Sequence, residues 1–202
     1  MHYRGESIVG LPTRDITRKG ICRSFQIPQL FPELTVMDNL LIALTIADSP
    51  RPAIFRPAID RRLEARAMAL LEKFGIAEHA EREITTLAQG IRKLVDIAMA
   101  TVGDPDLLFL DEPTSGVSAD EKMPLMETLI SAFRSSQTAV LFIEHDMEII
   151  EAFSPRVVAF YEGTILADGP TAEVLANARV REFVIGSEFH RGDAAPAGGQ
   201  PC

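Results

Sequence analysis

Asp111 and Glu112 stand together at the end of a continuous apolar run, Leu107-Leu108-Phe109-Leu110. Such a run reads as a strand buried on both faces. Strands of that kind deliver their C-terminal side chains to the crevice where α/β folds bind ligands. There Asp111 can hold Mg²⁺, directly or through water, because the ion takes carboxylate, water and phosphate oxygens. Glu112 can orient or deprotonate a water that attacks a γ-phosphate, and Pro113 turns the chain away. Taken alone, the same residues equally suit a buried strand that ends in an acidic helix cap. A second apolar run, Ala139–Ile143, ends in Glu144-His145-Asp146. Parallel strands end on the same side of a sheet. His145 would therefore enter the crevice beside Glu112, where it could contact the phosphate and help place the water.

The elements that position these residues can be read from periodicity. Residues 1–20 are polar and turn-rich, and Ile21–Phe25 suits a short strand. Thr35 can cap a helix that carries Val36, Leu40, Leu41 and Leu44 on one side. Pro50, Pro52 and Pro57 place a loop over 48–58. Asp60 then caps a helix through about Phe74, with Leu63, Ala67, Leu70 and Leu71 at helical spacing and Gly75 as its stop. Ile91, Leu94, Val95, Ala98 and Val102 repeat the helical period, and Gly103-Asp104-Pro105 ends it. Helices are expected over 120–135, Asp146–Phe153 and 171–185. Val157–Tyr161, Glu162-Gly163 and Thr164–Ala167 read as a hairpin. From Ser187 a Gly/Ala/Pro-rich tail is expected to be disordered. Strands alternating with helices imply a parallel α/β sheet, and the stretch from about 32 to 102 reads as a separate helical layer.

The 202 residues can bury one medium core, with 47% apolar and 24% charged side chains. No run approaches the roughly 20 apolar residues of a membrane span, and the first residues lack the apolar stretch of a leader peptide. The net charge of −9 argues against a nucleic-acid binder, whose affinity rests on Lys and Arg meeting phosphates. The two cysteines, Cys22 and Cys202, stand near opposite ends, so no disulfide is expected and a reducing compartment fits. His2, His79 and His190 show no metal-ligand spacing. Phe31, Phe55 and Phe74 suit a core or a partner contact better than a base-stacking platform.

In its order of motifs the chain resembles the ABC transporter ATP-binding subunits. Ser24-Phe25-Gln26 followed by Leu30–Val36 resembles the family's Q-loop. Thr86-Leu87-Ala88-Gln89-Gly90, leading into a helix, sits where the signature motif stands. Ser115–Ser118 holds the D-loop position. The Glu162-Gly163 hairpin and Asp168-Gly169-Pro170-Thr171 match the C-terminal portion. The likeness covers roughly residues 7–186. Within the family, Arg18–Gln26 and Leu94–Ala100 are most similar to the ATPases of branched-chain amino acid uptake systems. Importers of urea or amides would look alike.

The resemblance implies an α/β fold with a P-loop NTPase-like parallel sheet, incomplete at its N-terminus, and an inserted helical subdomain over about 32–102. It implies a partial ABC ATPase domain over 1–186. The cofactors would be ATP and Mg²⁺. Asp111 and Gln26 would serve the metal, and Glu112, His145 and Gln26 the hydrolytic water. Leu87, Ala88, Gln89, Gly90 and Ser118 would meet the nucleotide of an opposite subunit. Partners would be a second ABC ATPase subunit, in a homo- or heterodimer, and membrane permease subunits, with no nucleic acid. The location would be the cytoplasmic face of the cell membrane.

Two departures qualify this. No G-x-x-x-x-G-K-[ST] occurs in the 202 residues. That loop supplies most of the phosphate binding, so weak or no ATP affinity is expected. Either truncation ahead of the Q-loop or degeneration would account for it, and the intact Asp111, Glu112 and His145 favour truncation. Second, Ala88 and Gln89 replace the usual serine and first glycine of the signature. The missing hydroxyl would cost about 1.5–3 kcal/mol of phosphate binding if nothing replaces it. Gly90, the helix dipole behind it, Arg92 and Lys93 would keep the segment attractive to an anion. The alternatives are a nucleotide-deficient regulatory subunit and a non-transport ABC ATPase. The acidic charge and the lack of coiled-coil heptads count against the latter.

Overall fold

The computed structural model describes residues 1–24, 28–48, 61–134 and 136–186. Phe25 and Gln26, the segment with Pro50, Pro52 and Pro57, Asp60 and the tail from Ser187 lie outside them. The chain forms two compact units, Met1–His145 and Asp146–Cys202, and each is described by itself.

The first unit opens with a hairpin of β1 (His2–Tyr3) and β2 (Glu6–Ser7), then α1 (Thr13–Arg18) and β3 (Ile21–Arg23). Gly20 joins α1 to β3 at φ +87°, and a Cβ there would lie 2.5 Å from Asp106 Oδ2. That φ favours glycine, and a side chain there would also push the Asp106 carboxylate aside. β3 pairs in parallel with β4 (Leu107–Asp111), and β4 with β5 (Ala139–Ile143), in the order β3-β4-β5. The expected parallel sheet is present.

Burial on both faces holds for neither apolar strand. Leu108 and Leu110 are buried, whereas Leu107, Phe109 and Asp111 on the other face are half-buried. On β5, Leu141 and Ile143 are 47% and 52% exposed. They stand opposite Phe109 and Asp111 in the register. β5 is the edge of the sheet among the described strands, so its residues on this face have a neighbouring strand on one side only.

Besides α1, four α-helices accompany this sheet among the described residues. α2 (Val36–Asp48) starts as expected at Thr35. Thr35 Oγ1 accepts the Asp38 N–H at 3.0 Å, and the Asp38 carboxylate accepts from Thr35 in return, a reciprocal capping box. α2 packs on α3 (Arg61–Lys73) and α4 (Gln89–Ala100), and α4 packs on α5 (Ala119–Arg134). Val36, Leu40, Leu44, Ala67, Leu71 and Phe74 are wholly buried, each large one contributing about 1.5–3 kcal/mol. Phe74 meets Phe133 of α5 edge-on at 5.8 Å. It is a core residue, as read from the sequence.

The second unit begins with α6 (Met147–Phe153), capped by Asp146, whose carboxylate accepts the Glu148 N–H. β6 (Arg156–Tyr161) and β7 (Thr164–Pro170) form the expected antiparallel hairpin. Glu162 and Gly163 turn it at φ +47° and +77°, the left-handed pair that a tight hairpin turn needs. Ala159, Val174 and Val180 form its core, with Val157 and Leu166 packed against them. The single helix expected over 171–185 is broken. α7 (Thr171–Ala176) stops at Asn177, whose extended backbone and side-chain oxygen start a new helix, α8 (Ala178–Val180). Asparagine favours the cap over the helix interior because its side chain bonds nearby backbone.

Candidate nucleotide site

β4 and β5 run in parallel with Asp111 opposite Ile143, so Glu112 and the Glu144-His145 pair emerge at the same end. The Glu112 N–H donates to Ile143 O at 3.0 Å. Its backbone then turns into the left-handed region at φ +46°, which a non-glycine residue adopts only under local constraint. This turn sends the Glu112 carboxylate across to His145, and Oε1 lies 2.9 Å from His145 Nε2. A carboxylate oxygen only accepts, so Nε2 carries the hydrogen of this bond. Asp111 is held on its other side by Arg23 of β3, Nη2 to Oδ2 at 2.5 Å.

Glu144 braces the loop that follows Glu112. Its Oε1 accepts from the Thr114 N–H at 3.0 Å and from the Thr114 hydroxyl at 2.6 Å. Neither Thr114 nor Glu144 stands out in the sequence, where Glu144 reads only as the residue before His145. The signal was the acid itself, placed at a strand end level with Glu112.

The Leu87–Gly90 segment forms the entry to α4. Leu87 is buried, and Ala88 holds the capping position in extended conformation with no side-chain cap. The first amides of α4 therefore lack the bond that a Ser or Thr would supply. Two guanidinium groups bind the carbonyls just before them. Arg92 donates to Leu87 O and Thr85 O at 2.9 and 3.2 Å, and Arg82 to Thr86 O at 2.9 Å. Gln89 lies against Gly116, where a Cβ would come within 3.8 Å of Gln89 Cγ. Ser118 starts α5: its carbonyl accepts the Glu121 N–H, and its hydroxyl donates to the Glu121 carboxylate at 2.8 Å.

One expectation fails here. Lys93 does not add charge at the face of the Leu87–Gly90 segment. It is 2% exposed and its Nζ donates to the Glu112 carbonyl at 3.4 Å. Position 93 lies on the inner side of α4, beside the buried Leu94, Ile97 and Ala98.

The structure thus places Asp111, Glu112 and His145 at the adjacent ends of β4 and β5. Leu87–Gly90 stands at the start of α4 and Ser118 at the start of α5, while Gln26 lies outside the described residues. Among the described residues, no group of three His, Cys, Asp or Glu side chains could hold a metal ion by itself. Asp111 nevertheless fits Mg²⁺ as one carboxylate ligand, with water and phosphate oxygens supplying the rest, which is how the ion is usually held.

Comparison with known proteins bears on this arrangement. A family model described as "ABC transporter" matches residues 1–115. The chain belongs to the ABC transporter family. It is 35% identical to the high-affinity branched-chain amino acid transport ATP-binding protein LivG of Salmonella typhimurium. The match covers 91% of this chain and 74% of that protein. The corresponding BraF protein of Pseudomonas aeruginosa is 36% identical, over 90% of this chain and 74% of its own length. The fold matches a crystal structure of the ADP conformation of an ABC transporter's ATP-binding cassette, with a TM-score of 0.75 at 24% identity. That match covers 92% of this chain and 76% of the cassette. This ABC chain is an ATP-binding subunit of a family whose activity is transport-coupled ATP hydrolysis. No helix among its described residues is long and apolar enough to cross a membrane.

Proposed function

We propose that the chain is the ATP-binding and ATP-hydrolysing subunit of an importer for branched-chain amino acids or related small polar solutes. The likeness to LivG and BraF supports the solute class. The observation that carries the hydrolytic reading is the Glu112–His145 contact at 2.9 Å. It gives Glu112 a fixed direction and places an N–H donor beside it, which suits a base that orients one water. Asp111 would hold Mg²⁺ after exchanging Arg23 for it. That ion, when bound, neutralises phosphate charge. Gln26 would reach the same metal and water. Leu87, Ala88, Gln89, Gly90 and Ser118 would serve the nucleotide of a second ATPase subunit, with the uncapped amides of α4 facing its phosphate. The partial ATPase domain would span 1–186, with its helical subdomain over about 32–102 docking on permease subunits at the cytoplasmic membrane face.

The test is MgATP hydrolysis by wild type and Glu112→Gln, with upstream coding sequence included where the open reading frame supplies it. Glutamine keeps the shape and an acceptor for His145 but loses the charge. Turnover should fall at least about 100-fold while MgATP affinity stays within about threefold. Full turnover in the variant removes Glu112 from this role.

A second reading has its own support: no phosphate-loop motif occurs in the 202 residues and Ala88 lacks a hydroxyl. On this reading the chain is a nucleotide-deficient subunit paired with an active ATPase. An ATP titration separates the two, since this reading requires no saturable binding.

A further inference from the structure

α4 carries two buried charged residues one turn apart, Lys93 and Asp96, at 2% and 8% exposure. Residues three apart share a helix face. Asp96 Oδ1 accepts the Gln29 N–H at 3.0 Å, fixing the segment just after Gln26, and Lys93 Nζ donates to the Glu112 carbonyl. A buried ammonium is expensive unless opposite charge and hydrogen bonds compensate it. Burial pushes the Lys93 pKa down, and Asp96, Glu112, Glu144 and Asp111 together pull against that shift. The Glu112 carbonyl also accepts the Ser115 N–H at 3.0 Å. Both donors thus converge on the one residue of this strand end that sits in the left-handed region.

We infer that Lys93 is a positioning residue for Glu112: it holds the Glu112 carbonyl in its left-handed turn and offsets the negative charge gathered at the ends of β4 and β5. The inference rests on the reading of Glu112 as the base. It makes α4 the part that joins three segments, namely its own entry at Leu87–Gly90, the Gln29 stretch and the Asp111-Glu112 turn.

The test uses Lys93→Met and Lys93→Arg in the full chain, followed by carbon and nitrogen NMR and by MgATP turnover. Methionine fills the space without charge but leaves the opposing carboxylates uncompensated, which costs stability; arginine keeps the charge and serves as the control. In Lys93→Met the Glu112 carbonyl carbon resonance should move and the melting temperature should fall. Lys93→Arg should restore that resonance. Turnover should fall about tenfold in Lys93→Met, because small misplacements of a reacting group are costly. MgATP affinity should stay within about twofold, and Lys93→Arg should recover most of the rate. An unmoved Glu112 resonance in Lys93→Met overturns the inference. So does equal disturbance by both variants throughout α4 and the sheet, or normal turnover in Lys93→Met. A wild type that hydrolyses no MgATP counts against the proposed function instead, and the Glu112 resonance still decides the role of Lys93.

Discussion

Thr114→Val isolates the brace between the loop after Glu112 and the end of β5. Thr114 is 2% exposed and gives Glu144 Oε1 two donors, its N–H at 3.0 Å and its hydroxyl at 2.6 Å. Valine has nearly the same volume and keeps the backbone donor, so the change removes one hydrogen bond to a carboxylate and leaves no cavity. Such a bond contributes about 1.5–3 kcal/mol. Glu144 is not stranded, because Oε1 retains the Thr114 N–H and Oε2 receives the His145 N–H at 3.3 Å. The loss should therefore lie low in that range, at about 2 kcal/mol. For a chain of this size that is a fall in melting temperature of about 4–8 °C. Scanning calorimetry at neutral pH measures it, with Thr114→Ser as the control that keeps the hydroxyl. A Thr114→Val melting temperature within about 1 °C of wild type, or an equal loss in Thr114→Ser, would refute the reasoning.

Two further expectations follow from other sites. Ala88→Ser restores a hydroxyl where α4 has no side-chain cap, and it should tighten MgATP-driven subunit association by about tenfold; sedimentation measures this, and unchanged association excludes Leu87–Gly90 from the nucleotide. In the second unit, the Arg156 guanidinium bonds Asp168 through both carboxylate oxygens at 2.8 Å and holds its carboxyl below the ordinary 3.8. A depressed carboxyl contributes stability above its unfolded value and loses it as pH falls through the folded value. The melting-temperature gap between wild type and Asp168→Asn should thus be present at neutral pH and close toward about pH 2. A gap that stays constant with pH would show that the pair contributes nothing as an ion pair.

The site was legible where local pattern alone sets direction. The run Leu107–Leu110 had to end in Asp111 and Glu112 at one end of a sheet, and the parallel run Ala139–Ile143 had to bring His145 to the same end. Thr35 as a cap and Glu162-Gly163 as a turn follow from the same local chemistry, for each residue bonds or bends within four positions of itself. What stayed hidden depends on contacts between distant segments. Lys93 lies between Arg92 and Leu94, and nothing in the helical period says that a lysine will turn inward toward an acidic strand end on another element. Arg23 beside Asp111 and Thr114 beside Glu144 are likewise set by strand register. The exposure of Leu141 and Ile143 also escaped, since an apolar run shows that a strand prefers burial on both faces and does not show what covers it.

Three carboxylates, Asp111, Glu112 and Glu144, gather at two adjacent strand ends, and like charges at such range repel unless each is answered. The structure answers each with a different group. Arg23 takes Asp111, the His145 ring N–H takes Glu112, and Thr114 supplies two neutral donors to Glu144, while the buried Lys93 ammonium donates to the Glu112 carbonyl. This division matters for chemistry. Arg23 is itself 58% exposed in its side chain, so a cation can replace it on Asp111 at modest cost. Lys93 is buried and cannot leave without stranding charge. The exchangeable partner thus sits on the residue suited to a metal, and the fixed partner on the residue that must keep its direction. That ordering is hard to explain for a merely capped strand end, which needs no exchangeable cation. It favours a site that loads and releases a charged ligand, with Arg23→Ala expected to strengthen Mn²⁺ broadening of the Asp111 resonances and Lys93→Met expected to leave it intact.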